Sequence, residues 1–404
     1  LGYYLVKDIW DSLLKIMVCS DVAPPHVGGG ESYLAGLGYS LVRLGHEVYW
    51  LTSRLPGTVS YECLEGIHVC RVPILLPSLY KFPGRQSFPL TGLLPAIGLA
   101  MRMDVLQFDT FIAGTFGWLV SKASRKPSLL YCHEMFGKLW RRIGQNSFER
   151  HVYPEIEKFI AASPYGWFAC PSEYSKMTLI EAGAASRKIS VIPHGVDFRI
   201  FNPEASGEAL KKSLGLDGFR LFGFTGRLAV RGTGQSKNMA ALIEAVKYVV
   251  NELPDARLAL GGFGFKDIAP IVRRLGVEKY VVYAGARSFA DVPSFISMCD
   301  VVVCPALTDG FCFLLAEASA CGKPVVATRE GAHPERVIDG VTGVLTDVSA
   351  EGLAGGVVKV LSDQDLCEKL GRNGGEYARQ QYSWERSARR HLEIYQELMK
   401  QHTG

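Results

Sequence analysis

No stretch of this 404-residue chain is apolar for the roughly 20 residues that a bilayer-spanning helix needs. The best candidate, 90–103, is too short and carries Pro95 and Arg102. A secretory leader is not expected either, because the first 14 residues hold Lys7, Asp8 and Asp11 and no small-residue cleavage pattern. They read as an extension ahead of a fold that starts near Lys15. Cysteine pairs of the CxxC type are missing: the ten cysteines stand singly, and Cys19, Cys132 and Cys304 lie in apolar runs that suit buried free thiols. Neither a disulfide framework nor a zinc site is expected, no metal is expected, and a reducing, cytoplasmic setting is. Charge of one sign is scarce, with a net +4 and 21% charged residues, which argues against a dedicated nucleic-acid binder.

Two nucleotide signatures are absent as well. No GxxxxGK[ST] occurs, which excludes a P-loop NTPase. The glycines Gly28, Gly29 and Gly30 are not spaced as GxGxxG, and the second candidate strand ends in Thr52-Ser53-Arg54 with no acid for an adenosine ribose. That counts against a dinucleotide-dependent enzyme.

What the chain does have is alternation. Short apolar runs at 15–20, 47–52, 105–108, 129–133, 167–170 and 189–192 are separated by helical patterns. A second series follows at 220–224, 257–260, 281–284, 301–304 and 324–327. Tyr33, Leu34, Leu37, Leu41 and Leu44 recur at helical spacing, as do Leu242, Ala245, Val246 and Val249. Continuous apolar strands between helices predict parallel sheets covered on both faces, hence an α/β chain of two doubly wound domains. The break falls near 195–213, giving domains at 1–198 and 199–383 and a last helix beginning at Trp384. Ligands of such sheets bind beyond the carboxyl ends of the strands, so the residues just after the strands are the candidate site.

Those residues carry chemistry. Gly28, Gly29 and Gly30 precede a helix, where backbone can approach an anion closely. His133 ends the fourth strand and suits a sugar hydroxyl; Glu134 beside it reads as a solvated or supporting group. Gly226-Arg227 ends the first strand of the second series and Lys237 follows ten residues later, so the two cations form a candidate diphosphate clamp. Asp309-Gly310-Phe311-Cys312 leads into an apolar helix containing Glu317. Glu317 can accept two hydrogen bonds from a ribose diol, the N–H groups of Phe311 and Cys312 suit a phosphate, and Asp309 suits a sugar hydroxyl.

In this order the motifs resemble the retaining glycosyltransferases of GT-B fold known as glycosyltransferase family 4. The marker is the pair of acids with seven residues between them, Asp309 and Glu317. The stretch Ser172 to Ser175, the segment Val191 to Asp197, Gly226-Arg227, Lys237 and Gly28-Gly29 match in turn. The resemblance implies a GT-B fold, two Rossmann-like domains facing a central cleft, with the last helix, 384–404, crossing back onto the first. It implies that Glu317 binds the nucleotide ribose, Asp309 the donor sugar, Arg227 and Lys237 the diphosphate, and Arg287 the base, with His133 near the transferred sugar. The implied donor is a UDP- or GDP-sugar acting as co-substrate, with no bound cofactor. The implied acceptor is a sugar, a glycan or a lipid-linked molecule. Three departures stand out: Asp309 replaces the usual Glu, Cys312 stands where glycine is common, and the Arg227–Lys237 spacing is long, which makes Arg231 a second candidate for the lysine's role. Two other readings stay open, a nucleotide-sugar epimerase of the same architecture and a nucleotide-sugar-binding protein without transfer. The basic and apolar segment 79–103, with Tyr80, Lys81, Phe82, Arg85 and Phe88, is a candidate for peripheral membrane contact.

Overall fold

The strand Val301–Cys304, all apolar, has no polar side to offer water and must be covered on both faces. The computed structural model, which describes residues 13–26, 28–75, 84–230 and 232–403, shows how that is met. The first sheet contains β1 (Lys15–Cys19), β2 (Glu47–Ser53), β3 (Tyr61–Leu64), β4 (Ile67–Val72), β5 (Val105–Asp109), β6 (Ser128–Tyr131), β7 (Trp167–Cys170) and β8 (Ile189–Val191). Its strand order is β3-β4-β2-β1-β5-β6-β7-β8. The second contains β9 (Arg220–Thr225), β10 (Ala256–Gly261), β11 (Val281–Tyr283), β12 (Val301–Cys304), β13 (Val325–Thr328) and β14 (Val344–Thr346), in the order β11-β10-β9-β12-β13-β14. Every strand pair is parallel except β3 with β4. These are the two doubly wound α/β domains that the alternation predicts.

Three strands were not foreseen: β3, β4 and β14. β3 and β4 form an edge hairpin whose residues alternate between covered and exposed, so no continuous apolar run announces them. Their two-residue turn, Glu65-Gly66, has φ of 45° and 90°. Both central residues are left-handed, the geometry usually signalled by Asn-Gly or Asp-Gly; Glu in the first place hides the signal. β14 is only three residues long.

The expected helical stripes are core. Tyr33, Leu34, Leu37 and Leu41 on the helix Gly29–Arg43 are buried against the first sheet. Leu242, Ala245, Val246 and Val249 on Met239–Glu252 are buried against the second.

The last helix, Trp384–Thr403, belongs to the first domain's core although it follows the second in sequence. Ala388, Leu392, Tyr395 and Leu398 join the cluster around Val18, Leu37 and Trp50. Buried polar contacts fix its register: His391 Nε2 lies 2.8 Å from the Tyr33 hydroxyl, and Tyr395 donates to Gln107 Oε1 at 2.5 Å. The chain thus crosses between domains twice, and the crossings pair. Val196 N–H donates to Tyr382 O at 2.9 Å, and Val196 bridges Ser383 in parallel.

Trp384 sits at this double crossing because two glycines make room. A Cβ at Gly36 would lie 2.2 Å from the indole, and one at Gly195 2.4 Å from it. Gly36 is inside a helix, where alanine normally adds about 1 kcal/mol. Overpacking costs about 1–3 kcal/mol and wins here. Gly36→Ala is therefore expected to lower the melting temperature, read by circular dichroism; an unchanged or higher midpoint would show that Trp384 does not need this space.

Candidate active site

The carboxyl ends of β9 and β12 face the carboxyl ends of β1, β5 and β6 across the seam between domains, and the candidate residues follow those strands. On the second domain, Cys304 ends β12 and a loop returns to the helix Phe313–Ala320. Asp309 organises that loop. Its Oδ1 accepts the N–H groups of Phe311 at 3.1 Å and Cys312 at 2.6 Å, and its Oδ2 lies 2.6 Å from Lys237 Nζ. Burial opposes the charge on Asp309, but the lysine and the amides outweigh it and hold the carboxyl down to about 2. The same pair pushes Lys237 upward against its own burial.

This corrects one expectation. The amides of Phe311 and Cys312 are not open to a phosphate, because the short Asp309 side chain folds back onto them. The helix begins one residue later, after Cys312 at φ 60°, and no side chain caps it. Its first amides, from Phe313 onward, are the ones a phosphate can meet. Lys237, for its part, is paired with Asp309. Arg227 is exposed next to Gly226, whose φ is 148°. Arg231 lies outside the described residues.

Glu317 is four residues beyond Phe313 and so shares its helix face. That face looks toward the first domain: the Phe313 ring stacks with His194 at 4.9 Å and lies 3.8 Å from where a Gly29 Cβ would be. Burial pushes Glu317 up to about 8, and among the described residues nothing hydrogen-bonds its carboxylate. Arg287 folds back on its own loop: its Nη2 donates to Ala284 O, while its buried Nε has no partner among the described residues.

On the first domain, His133 follows β6, and its Nε2 lies 2.9 Å from Asp109 Oδ2 at the end of β5. Burial lifts Asp109 to about 6 even though His133 opposes that shift. The Asp109 charge raises His133 in spite of burial. Gly30 lies over this pair, its absent Cβ 3.4 Å from both Asp109 Oδ2 and His133 Nε2. Gly28 caps the helix start in extended conformation, and Gly29 is exposed. Asp109 was not among the sequence candidates. Its position at a strand's carboxyl end was the available signal.

The two halves touch. A Cβ on Gly310 would lie 2.0 Å from His133 O and 2.8 Å from Ser175 Oγ, so only glycine allows the donor loop to approach this closely. Thr308 donates its hydroxyl to Glu134 and lies 2.8 Å from the Tyr174 hydroxyl. Glu134, read from sequence as solvated or supporting, is thus half-buried in the seam; burial and the Asp309 charge push it up to about 8. Glu335 closes a second latch, accepting the N–H groups of Glu173 at 2.9 Å and Tyr174 at 2.8 Å, the first turn of the helix Glu173–Glu181. A carboxylate is favoured at that end of a helix. Arg336 adds a third, donating to Pro171 O at 2.7 Å while its guanidinium lies over the Phe311 ring.

Residues 27–199 match the model described as Glycosyltransferase Family 4, and residues 208–377 the one described as Glycosyl transferases group 1. The chain is 31% identical to a D-inositol 3-phosphate glycosyltransferase of Segniliparus rotundus over 322 residues, covering 74% of this chain and 68% of that one. It is 26% identical to a GDP-mannose-dependent alpha-(1-6)-phosphatidylinositol monomannoside mannosyltransferase of Mycolicibacterium smegmatis, covering 94% and 97%. In structure it is similar to a sucrose-phosphate synthase from Thermosynechococcus elongatus, with a TM-score of 0.81, 20% identity and coverage of 96% and 100%. It is also similar to Anabaena HepE in complex with UDP-glucose, with a TM-score of 0.77, 21% identity and coverage of 95% and 100%. The fold is therefore GT-B, and the chain belongs to the family 4, or group 1, glycosyltransferases.

Proposed function

We propose that this glycosyltransferase moves a hexosyl group, with retention at the anomeric carbon and without a catalytic metal, from a nucleotide-diphosphate sugar to an acceptor bound against the first domain. The observation that carries the reading is Glu317: a carboxylate lifted to about 8 by burial, with no hydrogen-bond partner among the described residues, on the helix face that looks across the seam. A ribose diol supplies the two donors that this group lacks. The diphosphate then lies at the uncapped start of Phe313–Ala320, within reach of Arg227 and Lys237. A lysine has three donors, so the contact to Asp309 leaves Lys237 two for the phosphate. These groups stabilise the charge that grows on the leaving diphosphate as the sugar takes on oxocarbenium character.

Asp309 and the His133–Asp109 pair flank the sugar from opposite domains. Closure through Gly310, Thr308 and Glu335 keeps out water, which would otherwise compete as nucleophile. The acceptor proton passes to the leaving phosphate oxygen on the same face. The nucleotide is a uridine or guanosine diphosphate; two of the similar proteins carry GDP-mannose or UDP-glucose in their names or complexes. The acceptor is a small hydroxylated molecule, a glycan or a lipid-linked sugar. For the last of these, Leu90, Leu94 and Met101, exposed at 77%, 76% and 60%, support peripheral contact with lipid through 84–103; the rest of the candidate segment, 79–83, lies outside the described residues. No helix among the described residues is long and apolar enough to cross a membrane.

A thermal-shift screen against UDP, GDP and ADP and their sugars, followed by a transfer assay, tests the reading. Glu317→Ala and Lys237→Ala are expected to keep the circular-dichroism spectrum and lose at least tenfold in transfer. Wild-type activity in both variants overturns the assignment.

The raised Glu317 predicts a pH signature. The carboxylate form binds the diol, so nucleotide affinity is expected to rise about tenfold between pH 7 and pH 9, as the group ionises through about 8, and then to level off. Calorimetric titration should find that slope in the wild type and a flat profile in Glu317→Gln. Gly310→Ala tests closure: its methyl meets the His133 carbonyl. Transfer should fall more than a hundredfold while nucleotide binding stays within a few-fold, and small-angle scattering should report a larger radius of gyration.

A further inference from the structure

Directly behind the donor loop, three soft donors converge that nothing in the proposed transfer uses. Cys304 Sγ lies 3.0 Å from Cys312 Sγ and 3.5 Å from His333 Nε2, and the three atoms fall within 4.8 Å of one another. It is the one such group among the described residues. The side chains are 2%, 5% and 0% exposed. The imidazole is also oriented as a ligand. Its Nδ1 lies 3.0 Å from Thr328 O and 3.1 Å from Thr328 Oγ1, whose hydroxyl donates to Ala306 O. Nδ1 faces two acceptors and is placed to carry a proton, so in the neutral ring the Nε2 lone pair faces the sulfurs, the arrangement that outer-shell partners impose on metal-bound histidines.

Cys312 adds an independent sign. Its φ of 60° is left-handed, a conformation that suits glycine and strains a side chain.

We propose that Cys304, Cys312 and His333 bind a zinc ion. On binding, each thiol loses its proton to solvent, two protons in all, and the two thiolates cancel the dication, so that the buried site carries no net charge. A tetrahedral ion at about 2.3 Å from each sulfur sets the sulfurs roughly 3.7 Å apart, a spread of less than 1 Å from their present contact. Three protein donors leave one position for a small exogenous ligand. The ion joins the end of β12, the residue preceding the helix Phe313–Ala320 and the start of His333–Arg336, which carries Glu335 and Arg336 to the first domain. It thereby ties the donor loop to the interdomain latch, whatever sugar is transferred.

The full chain, loaded with zinc and desalted into metal-free buffer, is expected to keep about one zinc per chain by elemental analysis. Cobalt substitution is expected to give near-ultraviolet sulfur-to-cobalt charge-transfer absorption. Cys312→Gly, which suits the left-handed backbone and so should fold, and Cys304→Ala are expected to lose both signals and the zinc-dependent rise in melting temperature. Three results would each overturn the site: less than a tenth of an equivalent in the wild type, undiminished zinc in Cys312→Gly, or Cys304 and Cys312 found joined as a disulfide in the zinc-loaded protein.

Discussion

The Asp309 carboxylate is the contact on which the geometry of the site depends. One oxygen gathers the amides of Phe311 and Cys312, and the other holds Lys237. A charge partly withdrawn from water is stabilised by such pairing and hydrogen bonding. The loop between β12 and its helix therefore has one well-determined shape. That shape brings Gly310 against the His133 backbone, delays the helix until Phe313, and leaves the first helical amides uncapped. An aspartate reaches these amides from its own loop. A glutamate here would have one more methylene to accommodate in the same turn.

A second constraint comes from the chain's double crossing. Trp384 rests on Gly36 and Gly195, and the crossings at Val196 and Ser383 pair with each other. The two crossing segments are thus hydrogen-bonded to each other, while the polar contacts of Thr308, Glu335 and Arg336 lie at the seam. His194, buried with neither ring nitrogen bonded among the described residues and its pKa pushed well down by burial, packs as a neutral plate between Tyr33 and the Phe311–Phe313 pair. Phe313 thereby links the helix carrying Glu317 to the ring stack of the first domain.

Much of this was legible in the residues. Apolar strands alternating with helical stripes required two parallel sheets, and the strand-end rule pointed to Gly28 to Gly30, His133, Gly226-Arg227 and the Asp309–Glu317 segment. What escaped had physical reasons. The β3–β4 hairpin turns on a Glu-Gly pair that mimics the usual Asn-Gly backbone. Asp109 is one aspartate among many until β5 and β6 are seen as neighbours. Cys304 and His333 are 29 residues apart and meet only because β12 and β13 are adjacent.

The fold class and the family could be read from the residues alone, because periodicity and strand-end motifs are local properties of the chain. Only the tertiary structure decided how the charges are shared. Whether Lys237 faces a phosphate or Asp309, whether Glu317 has a partner, and whether Glu134 is wet or wedged in the seam all depend on which segments meet across the interface. Electrostatic energy follows distance in space and the loss of water around each group, and neither is encoded in spacing along the chain.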